Sequence, residues 1–209
     1  FQPGWKRALV ALALVTAAGG FVFGAMTFII PRMFEVSMPG VRVDIAVTGT
    51  LAALVYAVAA WAQLAVGRII DRHRIKPVLL FVAAGQPVMI GLMATQSDYG
   101  LLAASLLAMA FVFGQIPITD AVLTRYVPDE WRAKALSIKF MLNLVIGALA
   151  LLVAQAILAG GGGFETVMVV LAAAAVFIVI AALMLPASTG AEMAPDPAAP
   201  RSRPATAPP

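Results

Sequence analysis

Six apolar stretches follow one another along this chain, with no amphipathic stretch between them. They run from Ala8 to Ile30, Ile45 to Val66, Pro77 to Ala94, Gly100 to Leu123, Ala135 to Ala159 and Thr166 to Leu185. Each is near the ~20 residues that an α-helix needs to cross a ~30 Å hydrocarbon core. One such run alone is compatible with the buried helix of a soluble protein. Six in succession are not, because nothing remains to shield them from water. Inside lipid the backbone must satisfy its own polar groups, and a helix does so within each segment. The expected fold class is all-α integral membrane, with a six-helix transmembrane domain over residues 1–186.

Composition points the same way. Hydrophobic residues make up 62% of the chain and charged residues 11%, against about 45–50% and about 25% in a soluble domain. The chain opens at Phe1 rather than Met, and this end reads as a cut end that says nothing about a signal peptide. A net charge of +4 could suggest nucleic acid, but the charges lie in short clusters between apolar runs, so no nucleic-acid partner is expected. The absence of cysteine excludes disulfides and cysteine-ligated metals.

The clusters divide by side. The side holding the N-terminus receives Lys6 and Arg7, then Arg68, Arg72, Arg74 and Lys76, then Arg125, Arg132 and Lys134, with Arg201 and Arg203 far along the tail. The opposite side receives Arg32 and Arg42. The positive-inside rule makes the richer side cytoplasmic, with both ends of the chain there. Residues 187–209 are rich in Pro, Ala, Ser and Thr, which cannot bury apolar surface, and they are expected to form a disordered cytoplasmic tail. Gly160 to Gly163 should form a flexible tight connection between the fifth and sixth helices.

After the second stretch the chain reads Gly67-Arg68-Ile69-Ile70-Asp71-Arg72-His73-Arg74-Ile75-Lys76-Pro77. This resembles the G-x-x-x-D-R-x-x-x-K/R motif that major facilitator transporters carry after the second helix of each six-helix half. Gly67, Asp71, Arg72 and Lys76 match it, whereas Arg74 and Ile75 stand where that family more often has Gly and Arg. The run from Arg125 to Ala135, with Pro128, Asp129 and Arg132, looks like the family's link between helices ten and eleven. The resemblance covers nearly everything but the tail. It implies the C-terminal half of a twelve-helix bundle, helices seven to twelve, whose partner would be the missing N-terminal six-helix half. The implied activity is secondary active transport of a small-molecule substrate by alternating access.

Two readings of the motif stand side by side. In one, Gly67 lets helix ends approach closely and Asp71 accepts bonds from Arg72, Arg74 or Arg132, forming a conformational latch. In the other, the loop is a static turn whose cations anchor to membrane lipid headgroups.

Asp120 is the most informative single residue. It lies about a turn and a half inside its helix, where an unpaired carboxylate is costly. Lys139, in the next helix, is equally far from the centre of their connecting loop, so antiparallel neighbours bring the two to one depth. A pair there serves either proton coupling or a gate, or it is a fixed structural bridge. Gln115 and Thr119 share a helical face at i and i+4, and Asn143 lies one turn beyond Lys139; these are the expected cavity lining. Pro117 should kink its helix and free a carbonyl. Gln63, Gln86 and Gln155 read as interhelical hydrogen-bonding residues, and the Gly20–Gly24 spacing marks close packing or a bend within the bundle.

No constellation for catalysis emerges. His73, the one histidine, sits in a cationic loop, and neither a paired intramembrane aspartate nor a GxxxxGK phosphate cradle occurs. The chain is expected to be no enzyme and to need no metal or cofactor. The leading function is a proton-coupled transporter in a bacterial inner membrane. A non-transporting assembly factor or receptor with a similar bundle is the alternative.

Overall fold

In a computed structural model, residues 4–39 and 44–185 are described. They form α1 (Trp5–Ser37), α2 (Ile45–Ile70), α3 (Ile75–Met93), α4 (Asp98–Tyr126), α5 (Asp129–Ala159) and α6 (Phe164–Leu183). All six are long and apolar enough to cross a membrane. The expected tail, like Arg42, lies outside the described residues.

α1, α2, α4 and α5 overrun their apolar stretches, whereas α3 and α6 start two residues earlier and end one or two residues sooner than theirs. α1 has 33 residues, or about 50 Å at 1.5 Å per residue, where α3 has 19 and about 28 Å. α4 and α5 start at Asp98 and Asp129, earlier than Gly100 and Ala135, because acidic residues in a first turn favour the helix dipole. α2 starts sharply: the Asp44 carboxylate accepts from the amides of Ala46 at 2.6 Å and Val47 at 3.2 Å.

α1 and α4 hold the centre. α1 packs chiefly on α5, α6 and α4, and α4 packs chiefly on α2, α3 and α1. α3 and α6 pack on each other. Exchanging the first three helices for the last three reproduces this pattern, and an odd number of helices per repeat inverts the second relative to the first. Such inverted repeats are common in secondary transporters. The core is built from Met26, Ile30, Phe34, Ile90, Met109 and Ile118 among others, while Phe28, Trp61, Phe81, Phe140 and Leu144 stand exposed. An exterior of that kind suits hydrocarbon, not water.

The glycines of α1 do what close packing requires. A Cβ on Gly24 would overlap the Gly147 backbone and come within 2.7 Å of its carbonyl oxygen; one on Gly20 would meet the Asn143 side-chain oxygen at 2.9 Å. Thus α1 and α5 touch backbone to backbone. The glycine connection after α5 is better defined than the expected flexible link. Gly161 has φ of +86°, the Gly162 amide donates to Ile157 at 2.9 Å, and the Gly161 amide donates to Leu158 at 3.3 Å. This is a Schellman cap.

The charge clusters converge as the crossing count requires. Arg7 Nε donates to the Met184 carbonyl at 2.8 Å, and Lys76 Nζ donates to those of Leu183 at 3.2 Å and Leu185 at 2.6 Å. The starts of α1 and α3 therefore lie beside the end of α6, on one side of the bundle.

Candidate functional site

The polar groups of α1, α4 and α5 meet around a cavity of about 60 Å³, roomy enough for a few water molecules. Its wall includes Thr16 and Gly19 from α1, Gln115 and Thr119 from α4, and Lys139 and Asn143 from α5. Phe23, Val112, Ile116 and Phe140 supply the apolar part. Gln115, Thr119, Lys139 and Asn143 thus share one wall.

Lys139 is the organising charge. Its ammonium donates to the Asp120 carboxylate and, at 2.7 Å, to the Thr119 hydroxyl. The Thr119 hydroxyl in turn donates to the Ile116 carbonyl at 2.9 Å. The lysine side chain is 11% exposed and the aspartate 35%. The cation is therefore the more deeply buried partner, and it depends on the pair for compensation. Beyond Lys139 lies a second, apolar groove of about 220 Å³ between α1, α4 and α5, lined by Leu9, Leu12, Leu123 and Ile138. Lys139 and Thr16 border both spaces.

Gln115 also belongs to a chain of bonds through the bundle. Gln86 Nε2 donates to Gln115 Oε1 at 2.6 Å, and Gln115 Nε2 donates to the Val15 carbonyl at 3.3 Å. These bonds tie α3 to α4 to α1. Gly19 makes room for the amide, since a Cβ there would lie 2.5 Å from its nitrogen. The α4 helix runs on through Pro117.

The motif after α2 is arranged differently from the expected one. A Cβ on Gly67 would meet nothing within 4 Å, so no helix approaches it closely. Among the described residues, no hydrogen bond or ion pair joins the side chains of Asp71 and Arg72 to other groups. Arg132 turns to its own loop instead, donating to the Thr124 carbonyl at 3.0 Å and pairing with Asp129 at 2.5 Å. Arg132 sits one turn from Asp129 on α5, so that local pairing wins over a reach to the neighbouring loop. Lys76 holds the end of α6.

Thr16 escaped the sequence reading. It is buried at 4% exposure and lines the cavity, yet its hydroxyl has no partner among the described residues. A lone threonine among alanine, valine and leucine gives no periodic signal, so only the fold reveals it.

Comparison with known proteins agrees with the architecture. The family model described as Major Facilitator Superfamily matches residues 10–208. The fucose:proton symporter FucP of E. coli superposes with a TM-score of 0.70 at 18% identity, over 88% of this chain and 43% of that one. A bacterial homologue of the human lysosomal transporter Spinster, inward-facing and unoccupied, superposes with a TM-score of 0.67 at 17% identity, over 90% and 44%. This chain therefore spans less than half the length of either solved transporter. No curated protein matches its sequence. With the family model extending over all six membrane-spanning helices, this multi-pass chain belongs to the Major Facilitator Superfamily.

Proposed function

We propose that this chain is one half of a secondary active transporter, moving a small organic solute by alternating access and coupled to protons through Asp120. The observation that carries the reading is the Lys139–Asp120 pair beside a polar cavity, between the cavity and a groove. Protonating Asp120 would release Lys139, the more buried charge, and a released ammonium must find another acceptor. Substrate, water or a carbonyl would then take that place, which links proton uptake to a change in the wall. One structural neighbour is a fucose:proton symporter, which is in keeping with proton coupling.

The remaining half would cover the exposed apolar faces of α2 and α5. Leu54, Val58 and Trp61 stand out from α2, and Met141, Leu144 and Val145 from α5. Each helix has one main packing partner. The orientation follows the cation-rich side, with both ends of the chain in the cytoplasm of a bacterium and the bundle in its inner membrane. A scaffolding protein would have no use for the polar cavity, which leaves the non-transporting alternative without a supporting observation.

The test is solute flux in proteoliposomes holding the full-length protein, with and without Asp120→Asn. Loss of pH dependence in the variant is expected. An unchanged pH profile sinks the coupling assignment, and absence of flux across a broad solute panel sinks the transporter.

A further inference from the structure

A larger groove lies away from this cavity. It measures about 590 Å³ and runs between α2 and α3 with α4 as its floor, within the range of ~300–1,000 Å³ typical of small-molecule sites. Ala62 and Ala65 line the α2 side, Pro77 and Phe81 the α3 side, and Phe111 the floor. The groove exists because α2 and α3, though consecutive, barely pack on each other, and their facing positions are small on the α2 side. Its base is well built. Phe81 and Phe111 meet edge to face at 5.7 Å, and Gly85 lets the Phe111 ring lie against α3, since a Cβ there would be 2.6 Å from the ring.

The charge at the mouth selects the occupant. His73 and Arg74 border the groove, and Arg68 and Arg72 stand within the same loop region with Asp71 as the opposing charge. Lys76 is engaged with the end of α6. The Arg74 guanidinium has no bond to protein among the described residues, and α3 begins behind it without a side-chain cap. A solute soluble in water would find an apolar trough, and a neutral hydrocarbon would leave the cations idle. An amphiphile with an apolar chain and an anionic head satisfies both ends, as basic pockets between membrane helices do for lipid headgroups.

We infer that the α2–α3 groove binds one anionic phospholipid, its acyl chain along Ala65 and Phe81 and its phosphate at Arg74, His73 being engaged with the Ile69 carbonyl. Headgroup attraction to a basic loop requires no groove. The distinguishing content here is a single bound lipid whose retention depends on both the trough and the cations.

Native mass spectrometry of the full-length protein in detergent tests this, with equal amounts of phosphatidylglycerol and phosphatidylethanolamine added. One phosphatidylglycerol is expected to be retained at least about fivefold over phosphatidylethanolamine, a difference of about 1 kcal/mol by RT ln 5. Arg74→Ala should abolish the preference. Ala65→Leu fills the trough without touching charge and should lower retention of both lipids. Equal retention of the two lipids by the unaltered protein overturns the inference. So does a preference that survives Arg74→Ala, or retention unmoved by Ala65→Leu, since either would put the lipid elsewhere. This chain has no cysteine, so in a full-length protein whose other half is also free of cysteine, Ala65→Cys reports access to the groove by a membrane-permeant maleimide. Protection in lipid-free detergent would mean that the other half covers the groove, again overturning the inference. None of these readouts involves transport, so they stand or fall apart from the proposed function.

Discussion

Gly24 of α1 and Gly147 of α5 face each other with no side chain between them, and the two helices are in backbone contact there. The positions are not equivalent. A Cβ on Gly24 would come within 2.7 Å of the Gly147 carbonyl oxygen, whereas one on Gly147 would meet nothing nearer than 3.3 Å. Gly24→Ala must push the helices apart and is expected to cost about 1–3 kcal/mol, as overpacking does. Gly147→Ala should cost less than half as much. Thermal melting of the purified protein in detergent would show the order, and equal effects would mean that the contact is looser than described.

The ion pair makes a second prediction. Lys139→Ala leaves Asp120 without its partner, while Asp120→Asn leaves a buried ammonium facing an amide. Breaking a fully buried pair costs about 3–5 kcal/mol. Asp120 keeps about a third of its exposure, so about 1–3 kcal/mol is the expected loss for Lys139→Ala. Asp120→Asn should cost more than Lys139→Ala, because the lysine is the more buried charge. The double substitution Asp120→Asn with Lys139→Ala should recover most of the loss. A double-mutant cycle on melting temperature decides it; strict additivity would deny the coupling.

At the turn after α5, Gly161 and Gly163 should respond in opposite directions. Gly161 has φ of +86°, so Gly161→Ala is expected to cost about 1–2 kcal/mol from the left-handed backbone alone. Gly163 is the N-cap of α6 in an extended conformation, and Gly163→Ser should be neutral or stabilise by a few tenths of a kcal/mol through a side-chain cap. Chemical denaturation of the two variants in mixed micelles compares them directly.

Lys76→Met should loosen the last turn of α6 while leaving α2 and α3 in place. It removes two charge-assisted bonds to carbonyls that the helix cannot satisfy itself. Arg7 still holds Met184, so about 1 kcal/mol is expected, near the low end for such bonds at an exposed site. Hydrogen exchange should quicken in residues 180–185 alone; a change spread over the loop after α2 would favour a latch role for Lys76.

How much of this was legible in the sequence depended on how far apart the partners lie in it. The pairing of Asp120 with Lys139 is only roughly legible: the apolar stretches make the two equidistant from the centre of a long loop, whereas α4 ends at Tyr126 and α5 starts at Asp129, which puts them six and ten residues from the turn. Local spacing places Gly20 and Gly24 in a close contact but does not name Gly147, which lies more than a hundred residues away. Lys76 shows the limit. Its motif position is plain in the sequence, but its bonds go to Leu183 and Leu185, and no local spacing reports where α6 ends. Gln86 and Gln115 were read as different kinds of residue, one bonding and one lining a cavity. They are bonded to each other, because an amide on α4 has donor and acceptor to spare for both.

The α4–α5 seam carries a last consequence. These two helices are consecutive, yet they hardly pack on one another; α4 leans on α2 and α5 on α1. The bonds from Lys139 to Asp120 and Thr119, with that from Arg132 to Thr124 nearer the turn, therefore work like a few rivets through a hinge rather than stitches along a whole seam. With backbone against backbone at Gly24 and Gly147, α1 and α5 have no slack between them, and a shift of Lys139 is a shift of both. Removing the Lys139 rivets leaves the two plates joined chiefly near their turn and through α1, on which both lean.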